Sequence, residues 1–137
     1  MPAPAAHFHA VVWIDHANAH VSFFNATEAS HATLHAHGDS NVHHKTGVAA
    51  GSGHAPAERR FLDAVAAALA SAGEILVVGP GGAKSELQKH LVAHAPATAK
   101  KIVAIEAMDH PTERELVAHA RRFFKLADRM TAQRPGR

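Results

Sequence analysis

The chain has 137 residues, 47% of them hydrophobic and 19% charged, with a formal net charge of +2; this balance describes one foldable domain and excludes a high-charge disordered segment. The absence of cysteine excludes disulfides, thiolate metal centres, iron–sulfur clusters and cysteine nucleophiles together. No apolar run approaches the ~18–20 residues of a membrane span, and Met1-Pro2-Ala3-Pro4 shows no basic region ahead of an apolar one, so a cytoplasmic location without a membrane partner is expected.

From its start the chain reads as a flexible stretch over 1–8, then His9 to Asp15 as a strand: Val11-Val12-Trp13-Ile14 is a continuous apolar run between polar residues, the pattern of a strand buried on both faces. Asp15-His16-Ala17-Asn18 reads as a turn and Ala19 to Asn25 as the returning strand of a hairpin. Thr33 to His37 alternates weakly and reads as a third strand, with His35 and His37 on one face. Such a strand edge could pair between two copies, so a homodimer is among the expectations.

Residues 38–57 break this rhythm. They form a polar stretch punctuated by Gly38, Gly47, Gly51 and Gly53, too long and too aperiodic for an ordinary connection. Ten of the 14 histidines lie before residue 57, so this part of the chain gains positive charge as the pH falls through ~6.5. His43-His44-Lys45-Thr46-Gly47 and Gly51-Ser52-Gly53-His54 combine charge with backbone freedom, a composition suited to ordering against a polyanion and equally to a mobile linker.

Pro56 suits the first turn of a helix, with Phe61, Val65, Ala68 and Leu69 at helical spacing and Gly73 beyond its end. Glu74 to Val78 reads as a short buried strand, Ala83 to His94 as a helix ended before Pro96, and Lys101 to Glu106 as another strand. The closing helix runs from about Pro111 to Arg129, burying Leu116, Val117, Ala120, Phe123, Phe124 and Ala127 and exposing Arg114, Arg121 and Lys125; Arg134–Arg137 closes a basic tail over 130–137. The order strand, strand, strand, helix, strand, helix, strand, helix describes an antiparallel meander followed by parallel crossovers, hence a five-stranded mixed sheet with helices on its faces.

Several constellations bear on chemistry. Val78-Gly79-Pro80-Gly81-Gly82-Ala83-Lys84-Ser85 is not a nucleotide-triphosphate loop, because Ala83 and Val78 stand where that motif needs glycine. A strand, a glycine turn and a helix start carrying Lys84 and Ser85 could still hold one phosphate, and could equally be a tight turn alone. His90 and His94 sit one helical turn apart, but Leu91 replaces the glutamate of a zinc protease, so both read as solvent-facing. His35, His37, His43, His44 and His54 could gather a divalent metal, though their spacing matches no ordered zinc motif. Asp15 ends the first strand, where it could hold a catalytic metal for RNA cleavage or bond back to its own turn.

Four stretches of this sequence, His43–Gly47, Gly51–His54, Gly79–Lys84 and Asp109–Thr112, resemble those of small bacterial proteins known as translational machinery proteins. More distantly, Val11–Asp15, the long loop, Glu74–Pro80 with Lys84 and Leu87, and the closing strand and helix resemble the middle domain of archaeo-eukaryotic peptide-chain release factors and Pelota, over about residues 9–126. The resemblance implies a ribonuclease H-like α/β fold whose second strand is antiparallel. It also implies a translation-related role, with no cofactor and with the ribosome or structured RNA as partner. In release factors the long loop carries Gly-Gly-Gln, which promotes peptidyl-tRNA hydrolysis; the corresponding stretch here is Gly51-Ser52-Gly53-His54, and the two glutamines, Gln88 and Gln133, lie elsewhere. The expectation is therefore a non-enzymatic ribosome- or RNA-binding module. It would make contact through His43, His44, Lys45, Gly47, Gly51, Ser52, Gly53 and His54, with Lys84, Ser85, Arg121, Arg122 and Lys125 as secondary anion contacts. The alternatives are a hydrolase of peptidyl-tRNA or RNA using His54 or a metal at Asp15, and a histidine-rich divalent-metal-binding protein.

Overall fold

The computed structural model describes residues 8–36 and 50–132, with side chains described over 8–36 and 57–125. Among these residues, five strands and four helices follow in chain order: β1 (His9–Ile14), β2 (Asn18–Phe24), β3 (Ala29–His35), α1 (Ala50–Leu69), β4 (Glu74–Gly79), α2 (Ala83–His94), α3 (Pro96–Ala99), β5 (Ile102–Ala107) and α4 (Glu113–Ala132). They build a single sheet in the order β3-β2-β1-β4-β5. β2 is antiparallel to both of its neighbours, while β1 pairs with β4 and β4 with β5 in parallel. This is the expected mixed five-stranded ribonuclease H-like sheet with one reversed strand.

The two-residue period of a strand sorts the core into two layers. Ala10, Val12 and Ile14 of β1, with Ala19, Val21, Ile75 and Val77, face α1 and α2 and pack on Phe61, Val65, Leu69, Leu87 and Leu91. Val11 and Trp13, with Phe24, Leu76 and Val78, face α4 and pack on Leu116, Val117, Ala120 and Phe124. β1 and β4 are thus covered on both sides, which is why their sequences are unbroken apolar runs rather than alternating ones. Burying a side chain such as Leu91 or Leu116 stabilises the domain by about 1.5–3 kcal/mol.

Both hairpin turns are set by a side chain accepting from its own turn. Asp15 Oδ1 accepts from the N–H groups of Ala17 (2.8 Å) and Asn18 (2.7 Å), and Asn25 Oδ1 accepts from Thr27 (2.9 Å) and Glu28 (2.7 Å). This is the backbone-bonded role open to Asp15 from the sequence. α4 starts with a reciprocal capping box: Thr112 Oγ1 accepts from the Glu115 N–H at 3.0 Å, and Glu115 Oε1 accepts from the Thr112 N–H at 2.9 Å.

Element ends differ from expectation where the local signal is weak. β3 spans Ala29–His35 rather than Thr33–His37, because its side chains are exposed along most of its length and no alternation marks its start. α1 begins at Ala50, six residues before Pro56, so Gly51, Ser52, Gly53 and His54 belong to its first turns. α4 continues to Ala132, into the stretch expected as tail. His43, His44, Lys45 and Gly47 lie outside the described residues.

Candidate functional site

Because β2 alone is reversed, β1, β3, β4 and β5 all end at one pole of the sheet. The chain leaves β1 toward β2 on one side and leaves β4 toward β5 on the other. Strand order therefore reverses between β1 and β4, the place where open α/β sheets present a crevice to ligands. The Asp15 turn, the Gly79–Gly82 turn and the Met108–Thr112 connection meet at this pole. The long histidine–glycine segment departs from it: the Ala36 N–H donates to the Ala17 carbonyl at 2.8 Å just before that segment begins.

Trp13 joins these connections. Its ring is buried, and its Nε1–H donates to the carbonyls of Asp109 (2.9 Å) and Met108 (3.3 Å), fixing the β5–α4 connection against β1. The exposed imidazole of His110 lies over the indole with ring centres 4.6 Å apart, and its Nε2 is 3.8 Å from Asp15 Oδ2. On the other side, His16 Nε2 is 3.4 Å from Glu86 Oε1 in the first turn of α2. A shallow depression lined by Asp15, His16, Glu58, Phe61, Ala83 and Glu86 joins α1 to this surface. α1 continues from Glu58 back to Ala50, eight residues or about 12 Å of helix, which carries the Gly51–His54 stretch beyond the depression.

Gly79 is required here because a Cβ at this position would overlap the Ile14 carbonyl oxygen of the neighbouring strand. Gly81 and Gly82 are different: nothing lies within 4 Å of where their Cβ atoms would stand, and neither has a positive φ. The tight-turn explanation therefore accounts for the first glycine of the run and not for the last two. Lys84 Nζ donates to the Gly81 carbonyl at 2.6 Å, so its charge is held over this turn, with Ser85 exposed beside it. Glu86 adds a negative charge to the same helix start and weakens its pull on an anion.

Arg121, Arg122 and Lys125 do not join this group. They lie along α4 toward the opposite pole, where Arg121 Nε donates to the Asn25 carbonyl (3.0 Å) and Nη2 to that of Glu28 (3.1 Å). Arg122 and Lys125 are exposed. The expected secondary contacts thus divide into Lys84 and Ser85 at the loop-bearing pole and three α4 cations at the other. His90 also departs from expectation. Its side chain is only 8% exposed, with Nε2 2.8 Å from Asp63 Oδ1 of α1 and its ring 4.6 Å from that of His94. A partner from another helix carries no spacing signal, so the sequence could not show that this histidine is covered.

The exposed strand β3 carries the remaining histidine pattern. Asn18, His20 and Ser22 stand opposite His35, Thr33 and His31, and each pair joins side chain to side chain: 2.6 Å for His35 with Asn18, 3.3 Å for His20 with Thr33, 2.8 Å for Ser22 with His31. These partners bind the hairpin together. Among the described residues, no group of three or more His, Cys, Asp or Glu is placed to hold a metal ion.

Burial on its own raises the Asp15 carboxyl. The Asn18 and Ala17 N–H donors, helped by the imidazoles of His110 and His16, outweigh it and hold the group below the ordinary carboxylate range. A lowered carboxylate contributes stability that is present above its unfolded value, near ~3.9, and lost as pH falls through the folded one. Thermal unfolding followed from pH 7 to 2 should therefore show a destabilisation below about pH 4 that Asp15→Asn lacks. Asp15→Ala, which removes the acceptor of two N–H groups, should cost about 1 kcal/mol at neutral pH.

No family model matches the chain, and no curated protein does. Among solved structures, its fold is that of part of Pelota-type proteins. The Pelota protein of Archaeoglobus fulgidus superposes with a TM-score of 0.57 at 18% identity, over 83% of this chain and 30% of that one. Pelota from Thermoplasma acidophilum gives 0.55 at 12% identity, over 78% and 30%. Dom34 of S. cerevisiae, a translation termination-like factor involved in RNA quality control pathways and interacting with Hbs1, gives 0.52 at 12% identity, over 82% and 33%. The chain spans about a third of the length of these proteins, and the similarity is one of fold. No helix among the described residues is long and apolar enough to cross a membrane.

Proposed function

We propose that this protein is a translation-related module that binds the ribosome, or structured RNA, without catalysing hydrolysis. Its contact segment is His43, His44, Lys45, Gly47 and Gly51–His54, in the stretch of sequence that follows β3, with Lys84 and Ser85 as secondary contacts at the pole where β3 ends. The observation that carries this reading is the shared fold with Pelota across 83% of the chain, combined with the departure of the histidine–glycine segment from the switch-point pole. Lysine and histidine supply charge to phosphates, and glycine lets backbone N–H groups approach them. Asp15 Oδ1 accepts from the Ala17 and Asn18 N–H groups, which favours the turn role of this carboxylate over a catalytic metal there.

Sedimentation with ribosomes through a sucrose cushion tests it. The protein should pellet with ribosomes at low salt, more strongly at pH 6 than at pH 7.5, and be released as salt rises. Replacing His43, His44 and Lys45 together by alanine should weaken the association about 10-fold or more, as loss of several phosphate contacts does. Protein that stays in the supernatant at low salt, and that also fails to bind purified ribosomal RNA, would overturn the proposal.

A further inference from the structure

At the pole opposite Asp15 and the Gly79–Gly82 turn lies a cleft of about 470 Å³, lined by Phe8, His9, Phe24, Asn25, Ala26, Arg121, Phe124 and Lys125. The volume falls within the range of sites that enclose a small organic ligand. Its floor is aromatic: the His9 ring lies 4.3 Å from that of Phe124 and stacks at 5.8 Å on that of Phe24, and both phenylalanines are buried.

Phe8 forms one wall and is the only exposed large aromatic side chain among the described residues, at 58% exposure. It is nevertheless held in place. Its carbonyl accepts from the N–H groups of Gly73 (2.7 Å) and Glu74 (3.1 Å), and its ring fills the space that a Cβ on Gly73 would need. A well-positioned ring presenting its surface to solvent contributes little to folding and is well suited to stack on a planar ligand.

The other wall is cationic. Two hydrogen bonds to the Asn25 and Glu28 carbonyls fix the Arg121 guanidinium at the rim, and Lys125 follows one helical turn later, exposed. Glu74 Oε1 lies 3.3 Å from Nε2 of His9 in the aromatic floor. An apolar aromatic slot beside two cations matches a ligand that is flat at one end and anionic at the other. That is the chemistry of a nucleotide, read by base stacking together with phosphate contact.

We propose that this cleft holds one nucleotide of an unpaired RNA strand, its base stacked on Phe8 and its phosphate at Arg121 and Lys125. The choice of RNA as the nucleotide's source rests on the function proposed above; the cleft's own chemistry requires only a base and a phosphate. The site would give the module a second RNA contact at the pole of the sheet opposite Asp15 and the Gly79–Gly82 turn.

Titration of the ¹⁵N-labelled full chain with AMP, with ribose 5-phosphate, and with hexa-adenylate tests it. AMP should shift the amides of Phe8, Asn25 and Lys125 and bind about 10-fold more tightly than ribose 5-phosphate, the margin that stacking one base supplies. Hexa-adenylate should displace AMP. Phe8→Ala should remove most of the AMP preference and leave ribose 5-phosphate unaffected; Phe8→Trp should retain it, which separates stacking from any loosening around Gly73. Lys125→Ala should weaken both ligands.

Equal binding of AMP and ribose 5-phosphate, shifts confined to Lys84, Ser85 and residues 43–54, or hexa-adenylate that fails to compete would each overturn the cleft. The two proposals fail separately. Ribosome association without AMP binding sinks the cleft alone. Competition between AMP and hexa-adenylate in a protein that ignores ribosomes supports the cleft and sinks the ribosome reading.

Discussion

Gly79→Ala should lower the stability of the domain by about 3–5 kcal/mol, among the larger effects of a single methyl group. The added Cβ would overlap the Ile14 carbonyl oxygen. That atom belongs to a backbone and not to the end of a flexible side chain, so relief requires β1 and β4 to separate. These neighbouring strands are buried on both faces, and they carry the Asp15 and Gly79–Gly82 turns at their ends. The same substitution at Gly81, where a Cβ meets nothing within 4 Å, should change stability by no more than about 0.5 kcal/mol. Thermal unfolding of the pair provides the comparison. With a few degrees per kcal/mol for a chain of this size, Gly79→Ala should melt roughly 10–20 °C lower than Gly81→Ala. Equal melting temperatures would mean that the two strands do not approach so closely at this point.

Trp13→Ala should cost about 3–5 kcal/mol, the usual range for emptying a buried aromatic site. Trp13→Phe should cost about 1–2 kcal/mol, because it keeps most of the apolar contact and loses the indole donor. Trp13 is 2% exposed and lies in the layer formed with Leu116, Val117 and Phe124. Its Nε1–H is the bond that fastens the Met108–Asp109 connection to β1. The phenylalanine variant should therefore loosen the segment 108–112 selectively, seen as faster amide hydrogen exchange there than in β4. Urea unfolding of the three proteins measures the energetic part. If Trp13→Phe were as stable as the parent and showed the same exchange at 108–112, the indole bond would not be what holds this connection.

The sheet was legible in the sequence where burial is two-sided. Val11–Ile14 and Ile75–Val78 are unbroken apolar runs because helices cover both faces, and no other element of so short a length explains them. Ala83–His94 was legible at both ends, framed by Gly82 and by Pro96 after Ala95. The short helix α3 was not, because a proline following a helix reads as a stop whether or not one more turn comes after it. Exposed β3 offered no alternation to mark its start. The Thr112 and Glu115 pair did carry a signal, since Thr-x-x-Glu ahead of an apolar stripe is a capping box that spacing alone can reveal.

The site was legible only in part. Asp15 as a turn acceptor is a local effect, whereas the crowding of Gly79 against Ile14 of β1 is not local. Nor is the grouping of cations: Lys84 and Arg121 look alike in sequence, yet strand order sends them to opposite poles and gives Arg121 two carbonyl partners more than 90 positions away. The aromatic cleft likewise joins Phe8 ahead of β1 and Phe24 at the end of β2 with Phe124 of α4, 100 positions further on, and no periodicity within one element points to it.

In the function proposed above, the charged, glycine-bearing stretch that follows β3 brings this fold to the ribosome. The most direct test of this is cosedimentation with purified ribosomes over a range of salt, comparing the parent chain with the His43, His44 and Lys45 triple alanine variant. The parent should pellet with ribosomes at low salt and be progressively released as salt rises, while the variant, folded by its Trp13 emission, should be about 10-fold weaker at low salt and less sensitive to added salt. Parent and variant pelleting alike, or neither pelleting at any salt, would contradict it.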